Sequence, residues 1–198
     1  MTFIPQRNPV EKLRRRLRNW YVPAFQGNCL YPIAMRPMIE MLRRKNYDYS
    51  LIGAEIGTFR GWNAFNILHY LPIEKLYIID PYEDCESYKM QTKPEDNLRA
   101  CKKHLRKYRD KVIFVKKLSE DAVEDIPQLD FLYIDGNHSY DYVKKDIELY
   151  YPKIKKGGYI GGHDFHISAV GVVKAVLEFT EKHNKELEGY PRDWWVKK

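Results

Sequence analysis

Short hydrophobic runs alternate with amphipathic stretches along most of this chain. The runs predict strands at residues 51–56, 75–80, 112–116, 129–134 and 158–162. Between them, hydrophobic residues recur at helical intervals and predict helices over 63–70, 94–109 and 171–183, and from residues 119 and 139 onward. Strands that alternate with helices in this way predict an α/β fold with a doubly wound, mostly parallel sheet.

The two ends of the chain depart from this alternation. Amphipathic patterns over 9–21 and 32–46 predict two helices, so we interpret residues 1–48 as a helical N-terminal extension of a domain that spans 49–198. Only about fifteen residues follow His183, which is enough for one short strand. This predicts a sheet that is shortened at its C-terminal end, or one whose edge is completed by a second copy of the chain.

Composition indicates one globular domain. With 198 residues, of which 44% are hydrophobic, the chain is long enough for a substantial core. No stretch approaches the roughly 20 apolar residues of a membrane-spanning helix, and the first residues lack the hydrophobic core of a signal peptide. The three cysteines are far apart and form no CxxC pair, which indicates neither a disulfide framework nor a zinc site. We therefore expect a cytoplasmic protein with reduced thiols and no membrane partner.

Much of the net charge of +7 lies in two basic segments, residues 12–18 and 99–117. Either segment could attract nucleic acid or an acidic substrate. Charge runs more often form the solvated face of a helix, so we favour that interpretation and keep nucleic acid as the alternative.

A glycine loop follows the first predicted strand, and an acid follows the second. Gly57 and Gly61 lie in the loop, and Asp80 ends the second strand. In a parallel sheet this unit forms a nucleoside site, because the loop receives the polar tail of the ligand and the acid receives the ribose hydroxyls. An ordinary tight turn between strand and helix would carry the same glycines and remains the alternative.

The residues of the loop favour one kind of nucleoside. A dinucleotide site needs a middle glycine that lets the backbone approach a pyrophosphate, and Phe59 stands at that place. Glu55 would repel a pyrophosphate, but it suits a ligand that carries an ammonium group. S-adenosylmethionine (AdoMet) has such a group and no phosphate, so the loop favours AdoMet over NAD.

Several candidate residues fall at the carboxyl ends of predicted strands: Gly57, Asp80, Ser119, Asp135 and Asp164. Ligands of doubly wound sheets bind at this edge. A tight turn between strand and helix does not predict that these residues converge at one edge. The convergence therefore favours a ligand site.

The chain also carries several motifs of one enzyme family. They are Glu55-Ile-Gly-Thr-Phe-Arg-Gly61, Asp80-Pro81, Ile134-Asp-Gly-Asn-His-Ser-Tyr140, Lys156-Gly-Gly158 and His163-Asp164. Over residues 50–180 the chain therefore resembles the class I AdoMet-dependent methyltransferases, which have a Rossmann-like fold, and in particular a branch with an IDG-x-HSY motif after the fourth strand. The resemblance implies an enzyme that transfers a methyl group from AdoMet.

The resemblance implies a role for each matching residue. Around AdoMet it implies Glu55, Gly57, Thr58 and Gly61 at the methionine, Asp80 at the ribose, Ser119 and Glu120 at the adenine, and Asp135 at the methyl group. Relatives that act on catechols and sugars hold a divalent cation with acids after strands 4 and 5, which correspond to Asp135 and Asp164. The place of a third acid falls to His163 or Phe165, which leaves Mg²⁺ or Mn²⁺ as an open expectation.

Transfer of a methyl group to a hydroxyl needs a base, and Asp135, His138 and His163 are the candidate catalytic residues. Either histidine could instead be structural, His138 within a loop and His163 within the core. The Asn/Asp-Pro-Pro-Tyr/Phe motif of relatives that methylate exocyclic nitrogens is absent after strand 4, which favours oxygen as the acceptor. We therefore expect O-methylation of a small molecule or a sugar. Nucleic-acid methylation and AdoMet binding without catalysis remain the alternatives.

Overall fold

The computed structural model describes residues 35–83, 92–190 and 192–198. All of the described residues belong to one compact unit. The predicted helix over 9–21 and the start of the second predicted helix lie outside the described residues. The proposed division after residue 48 therefore stays a prediction.

Six α-helices and seven strands form the described part of the chain, and they alternate as the sequence predicts. In chain order they are α1 Pro37–Arg44, β1 Leu51–Ile56, α2 Trp62–Tyr70, β2 Ile73–Ile79, α3 Pro94–Leu105, β3 Val112–Val115, α4 Ser119–Ala122, β4 Leu129–Ile134, α5 Tyr140–Tyr150, β5 Ile154–Phe165, α6 Val170–Lys182, β6 Glu188–Tyr190 and β7 Arg192–Lys197. Among the described residues, none of the helices combines the length and the apolar character needed to cross a membrane.

The strands form one sheet in the order β3-β2-β1-β4-β5-β7-β6. β1 to β5 run parallel, whereas β7 runs antiparallel to both β5 and β6. The chain order reverses between β1 and β4, so the carboxyl ends of these two strands form the switch point at which doubly wound sheets bind ligands. The predicted doubly wound, mostly parallel sheet is confirmed.

β1 and β4 are neighbouring strands in the interior of the sheet. Every residue of β4 is buried, and so are five of the six residues of β1. Asp130 is the one charged residue of β4. Its buried carboxylate pairs with Lys155 Nζ at 3.0 Å and accepts the Ile52 N–H at 2.8 Å. Strands covered on both faces have nearly continuous hydrophobic sequences, which explains why both are predicted at their observed bounds.

Helix α1 packs into the core of the sheet. Met38, Ile39 and Leu42 are fully buried and lie in one hydrophobic cluster with Trp195 of β7. The start of the helix is held by a distant side chain, because the Met38 N–H donates to Asp193 Oδ2 at 3.1 Å. Asp193 therefore satisfies a backbone donor that a local capping residue would otherwise bind.

The C-terminal end of the sheet differs from the prediction of one short strand. β6 and β7 form an antiparallel pair, and β7 covers the edge of β5. The prediction of a single C-terminal strand is wrong, because the sheet contains both β6 and β7. The sequence does not indicate β6, because this strand has only three residues, one of them Gly189, and too few hydrophobic side chains. Since β7 completes this side of the sheet, the argument for a second copy there no longer holds. A homo-oligomer stays a prediction.

Gly57 and Gly157 both have positive φ, at 81° and 84°, but their surroundings differ. A Cβ on Gly57 would lie 2.2 Å from the Asp135 carbonyl oxygen, whereas a Cβ on Gly157 would meet no atom within 4 Å. We expect Gly157→Ala to lower the free energy of unfolding by about 1–2 kcal/mol, the cost of a left-handed conformation for an L-residue. Gly57→Ala should cost about 2–5 kcal/mol, because it adds a collision with backbone. Urea denaturation measures both values, and equal losses would contradict the close approach of Gly57 to Asp135.

Candidate active site

The loop between β1 and α2 follows a left-handed path. Gly57, Phe59 and Gly61 have φ values of 81°, 52° and 82°. The Gly57 N–H donates to the Ile79 carbonyl and the Gly61 N–H to the Thr58 carbonyl, both at 2.9 Å. Positive φ at a non-glycine residue such as Phe59 is uncommon and is found most often at functional sites. The loop therefore presents its backbone at the carboxyl end of β1 and at the N-terminus of α2.

Asp80 holds this loop from the end of β2. The side chain is only 7% exposed. Its Oδ2 accepts the Phe59 N–H and its Oδ1 accepts the Tyr82 N–H, both at 2.8 Å. Burial raises the pKa of Asp80, and the two backbone donors oppose the rise. Asp80 therefore has a structural role in addition to the ribose contact that the resemblance implies, which stays a prediction.

Several polar atoms in and beside the loop are buried and lack a hydrogen-bond partner in the described part of the chain. They include Oε2 of Glu55, Oγ1 of Thr58 and Nε of Arg60. The other carboxylate oxygen of Glu55 accepts from Asn63 Nδ2 at 2.7 Å. Burial raises the pKa of Glu55 to about 7, although Asn63 and the Thr58 side chain oppose the rise. A buried carboxylate oxygen without a donor is costly, so Oε2 of Glu55 fits a ligand group that donates hydrogen bonds, such as an ammonium.

Asp135, His138 and Asp164 form a cluster at the carboxyl ends of β4 and β5. One ligand atom of each residue lies within 4.8 Å of the others, which could hold a metal ion. His138 Nε2 lies 3.2 Å from Asp164 Oδ2 and 3.7 Å from Asp135 Oδ1. The carboxylates of Asp135 and Asp164 raise the pKa of His138, and burial opposes the rise. His138, one of the two predicted catalytic histidines, therefore lies between the two predicted acids, Asp135 and Asp164.

Asp164 lies in an irregular part of β5. The register of β5 against β7 shifts between Gly162 and Phe165, and Asp164 has a φ of 56°. Irregularities of this kind turn side chains away from the regular pleat, and here they bring His163 and His166 each to 3.1 Å from Asp164 Oδ1. The hydrogen bond with His163 holds the pKa of Asp164 well below its usual range.

His163 lies between the cluster and a second, buried acid. Its Nδ1 lies 3.1 Å from Asp164 Oδ1 and 3.8 Å from Asp135 Oδ1, and its Nε2 lies 3.9 Å from Asp193 Oδ1. Asp193 also accepts the Tyr133 hydroxyl at 3.0 Å. Burial raises the pKa of Asp193 to about 6. The sequence analysis missed Asp193, and the only available signal was an acid at the start of the final hydrophobic run.

Arg36 is a second residue that the sequence analysis missed. It precedes α1, and its Nη2 lies 3.4 Å from Asp135 Oδ2. Residues 36 and 135 are 99 positions apart, and nothing in the local sequence indicates the contact.

Ser119 and Glu120 lie at the carboxyl side of β3, but their side chains contact α5. The Ser119 hydroxyl donates to Asp146, and Glu120 pairs with Lys145. Their predicted place beside adenine stays a prediction. Ser139 occupies the cap position of α5, but its side chain makes no capping hydrogen bond, and its N–H donates to Asn137 Oδ1 at 2.9 Å.

The basic segment over residues 99–117 is largely exposed, and acids neutralise part of it. Arg109 lies 3.7 Å from Asp110, and Lys117 lies 2.6 Å from Asp125. These pairs fit the interpretation of a solvated surface.

The fold and the site together define a class of protein. A mostly parallel sheet with a glycine loop after β1 and acids after β2, β4 and β5 is a Rossmann-like nucleoside-binding arrangement. Within that class, the family model described as a methyltransferase domain matches residues 54–165, more than half of the chain. The chain belongs to this methyltransferase-domain family, and the predicted class of enzyme is confirmed. The branch with the IDG-x-HSY motif stays a prediction.

Solved structures share the fold at low sequence identity. A Staphylococcus aureus protein, provisionally identified as a caffeoyl-CoA O-methyltransferase, is 16% identical with a TM-score of 0.61 and covers 96% of this chain and 93% of that one. CalS11, a TDP-rhamnose 3'-O-methyltransferase of calicheamicin biosynthesis, is 15% identical with a TM-score of 0.59, over 94% and 92%. The MycE methyltransferase of the mycinamycin pathway, solved with Mg, S-adenosylhomocysteine (SAH) and mycinamycin VI, is 13% identical with a TM-score of 0.55, over 81% and 48%.

One relative is similar in sequence. Uncharacterized protein R132 of Acanthamoeba polyphaga mimivirus is 32% identical over 117 residues, which are 56% of this chain and 50% of that protein. The match thus spans half the length of this relative.

The two backbone donors on Asp80 predict that this residue affects stability as well as binding. We expect Asp80→Ala to lower the free energy of unfolding of the ligand-free protein by about 1–3 kcal/mol, because it leaves buried N–H groups without an acceptor. SAH affinity should fall as well. Urea denaturation and calorimetry measure the two effects, and Asp141→Asn, at an exposed acid of α5, is the control. Unchanged stability with weakened SAH binding would mean that Asp80 acts only on the ligand.

The raised pKa of Glu55 predicts that SAH binding depends on pH. Below about pH 7 the unliganded carboxyl is mostly protonated, and an ammonium ligand favours the ionised form. Affinity should therefore rise with pH, by about tenfold between pH 6 and 7.5. Calorimetry of the wild type and of Glu55→Gln isolates this contribution, since the variant should bind SAH more weakly and lose that part of the pH dependence. The same profile in both proteins would exclude Glu55 as its source.

Proposed function

We propose that this chain transfers a methyl group from AdoMet to a hydroxyl oxygen of a small molecule or a sugar. The observation that carries the proposal is the cluster of Asp135, His138 and Asp164 beside the glycine loop. A hydroxyl acceptor must lose a proton, and this cluster offers both a base and a cation site. The O-methyltransferase names of two similar structures support oxygen as the acceptor atom.

The loop after β1 fits the methionine end of AdoMet. Oε2 of Glu55 and Oγ1 of Thr58 are buried without a hydrogen-bond partner among the described residues, and both can accept a hydrogen bond from an ammonium. Asp80 uses one lone pair of each oxygen for backbone N–H groups and retains others for ribose hydroxyls. The negative charge of the Glu55 carboxylate would repel a pyrophosphate, which argues against NAD as the ligand.

The residues of the cluster supply alignment and a proton acceptor. When bound, AdoMet supplies a methyl group whose bond to sulfur breaks as the acceptor oxygen takes the carbon, and the electron pair of that bond stays on sulfur. Asp135 lies where it can orient the acceptor hydroxyl, since its N–H is held by the Ile56 carbonyl at 2.8 Å. His138 and His163 both lie beside Asp135, and either can receive the hydroxyl proton. Alignment of this kind contributes several kcal/mol to a transfer reaction.

A divalent cation fits the same cluster. Asp135 and Asp164 would supply carboxylate oxygens and His138 its Nε2, with water as the remaining ligands. Of the two expected ions, Mn²⁺ accepts an imidazole nitrogen more readily than Mg²⁺ does. The cation would lower the pKa of an acceptor hydroxyl and stabilise its anion. The MycE structure, which contains Mg together with SAH, supports a cation in this fold.

Binding and turnover test the proposal in sequence. Calorimetry should show SAH binding and no NAD binding. AdoMet is then incubated with a panel of hydroxyl-bearing small molecules and nucleotide sugars, and with oligonucleotides as a second panel, while mass spectrometry follows the formation of SAH and of methylated product. Binding of NAD, or of no adenosyl ligand, would contradict the proposal. Methylation of the oligonucleotides alone would favour nucleic acid as the acceptor.

Asp135 should be essential for turnover. We expect Asp135→Asn to abolish methylation and to leave SAH affinity within a few-fold of the wild type, because its carboxylate serves the acceptor rather than the adenosyl group. Asp141→Asn is again the control. EDTA should inhibit the wild type, and Mn²⁺ should restore it. Activity that persists in EDTA would mean that a histidine acts as the base and that no metal takes part. Activity that persists in Asp135→Asn would overturn the assignment of Asp135 as a catalytic residue.

A further inference from the structure

Arg36 reaches the carboxyl edge of the sheet from the start of α1. Its Nη2 lies 3.4 Å from Asp135 Oδ2. The backbone at and just after Arg36 is held, because the Arg36 carbonyl accepts the Glu40 N–H at 3.0 Å and the Met38 N–H donates to Asp193. The helix that follows therefore fixes the position from which the Arg36 side chain reaches Asp135.

The contact with Asp135 uses only part of the guanidinium. Arg has five N–H donors in a planar fork. The distance of 3.4 Å is longer than a strong charge-assisted hydrogen bond, and the side chain is 31% exposed. Within the described part of the chain, most of the N–H donors of Arg36 are thus left for solvent or for a ligand.

Glu55 supplies the opposite charge on the neighbouring strand. β1 and β4 pair through Ile56 and Ile134, and Asp135 follows directly after β4. Arg36 acts on Glu55 electrostatically, since its positive charge lowers the pKa of that carboxyl against the larger effect of burial. A guanidinium with unused donors and a buried carboxylate with an unused oxygen therefore flank the carboxyl ends of β1 and β4.

This pair matches the chemistry of an α-amino acid. Such a group carries an ammonium and a carboxylate on one carbon, so its site needs an anion and a cation close together. Glu55 provides the anion. The other residues expected at the methionine end, Gly57, Thr58 and Gly61, offer no positive charge. Arg60 in the loop is also positive, but Arg36 is the arginine that contacts Asp135 and lowers the pKa of Glu55. Its planar fork suits a carboxylate.

We propose that Arg36 binds the α-carboxylate of the methionine part of AdoMet and of SAH, while Glu55 binds the ammonium. The inference rests on the proposed function. Because one N–H of the fork can stay on Asp135 while others hold the ligand, Arg36 also links the bound donor to the acid that faces the acceptor.

Truncated ligands test this contact without reliance on activity. Calorimetry compares SAH, decarboxylated SAH and 5′-methylthioadenosine, which keeps the adenosine and the thioether but lacks the amino acid. With the wild type, loss of the carboxylate should weaken binding by about 10- to 100-fold. Arg36→Met should weaken SAH by a similar factor and leave 5′-methylthioadenosine within about threefold. Arg36→Lys should lie between the two, because it keeps the charge but not the fork.

The comparison separates the carboxylate contact from a structural role. In Arg36→Met, SAH and decarboxylated SAH should bind with nearly equal affinity. Arg44→Met, at an exposed arginine at the end of α1, is the control, and it should leave the binding of all three ligands unchanged although it removes an ion pair with Glu40. Equal losses for SAH and 5′-methylthioadenosine in Arg36→Met would overturn the inference, as would a wild type that does not distinguish SAH from its decarboxylated form. A wild type that binds none of the three ligands would overturn the proposed function itself.

Discussion

The backbones that leave β1 and β4 come into contact at Gly57 and Asp135, and the arrangement of the site depends on that contact. The Asp135 N–H donates to the Ile56 carbonyl at 2.8 Å, and no side chain fits between Gly57 and the Asp135 carbonyl. This approach aligns the glycine loop with the acid after β4. As a result, the glycine loop and the acid after β4 share one edge of the sheet without a connecting segment.

The site concentrates carboxylates that are buried or partly buried, and each is stabilised in a different way. Asp80 accepts two backbone N–H groups, and Asp193 accepts a backbone N–H and a tyrosine hydroxyl. Asp164 is surrounded by histidines. Glu55 accepts the Asn63 amide and is close enough to the Thr58 side chain for it to lower the pKa of Glu55, but Oε2 of Glu55 has no hydrogen-bond partner among the described residues. Since an unpaired buried carboxylate is costly, we expect a bound cationic group to be stabilised most strongly at Glu55.

The sequence predicts those parts of the molecule that local patterns determine. β1 and β4 are continuous hydrophobic runs, and parallel topology alone brings Asp80, Asp135 and Asp164 to one edge. Contacts that depend on the assembled sheet have no such local signal. Arg36 reaches Asp135 across 99 positions, and Asp193 reaches Met38 across 155. The start of β5 is missed for a related reason, because Gly157 and Gly158 have the composition of a turn although they lie within the strand.

Protons and a cation compete for the same atoms in the cluster. His138 Nε2 lies 3.2 Å from Asp164 Oδ2, so it must lose any proton there before it can bind a metal. The carboxylates that attract the cation also raise the pKa of His138. Protonation of His138 therefore opposes binding of the cation, and binding of the cation opposes protonation. A histidine that binds the metal through Nε2 cannot receive the acceptor proton at that atom. Under the proposed function, His163, whose Nδ1 lies 3.8 Å from Asp135 Oδ1, would therefore be the available base when a cation is bound. The proposal thus divides the two histidines, with His138 as a ligand of the cation and His163 as the acceptor of the proton.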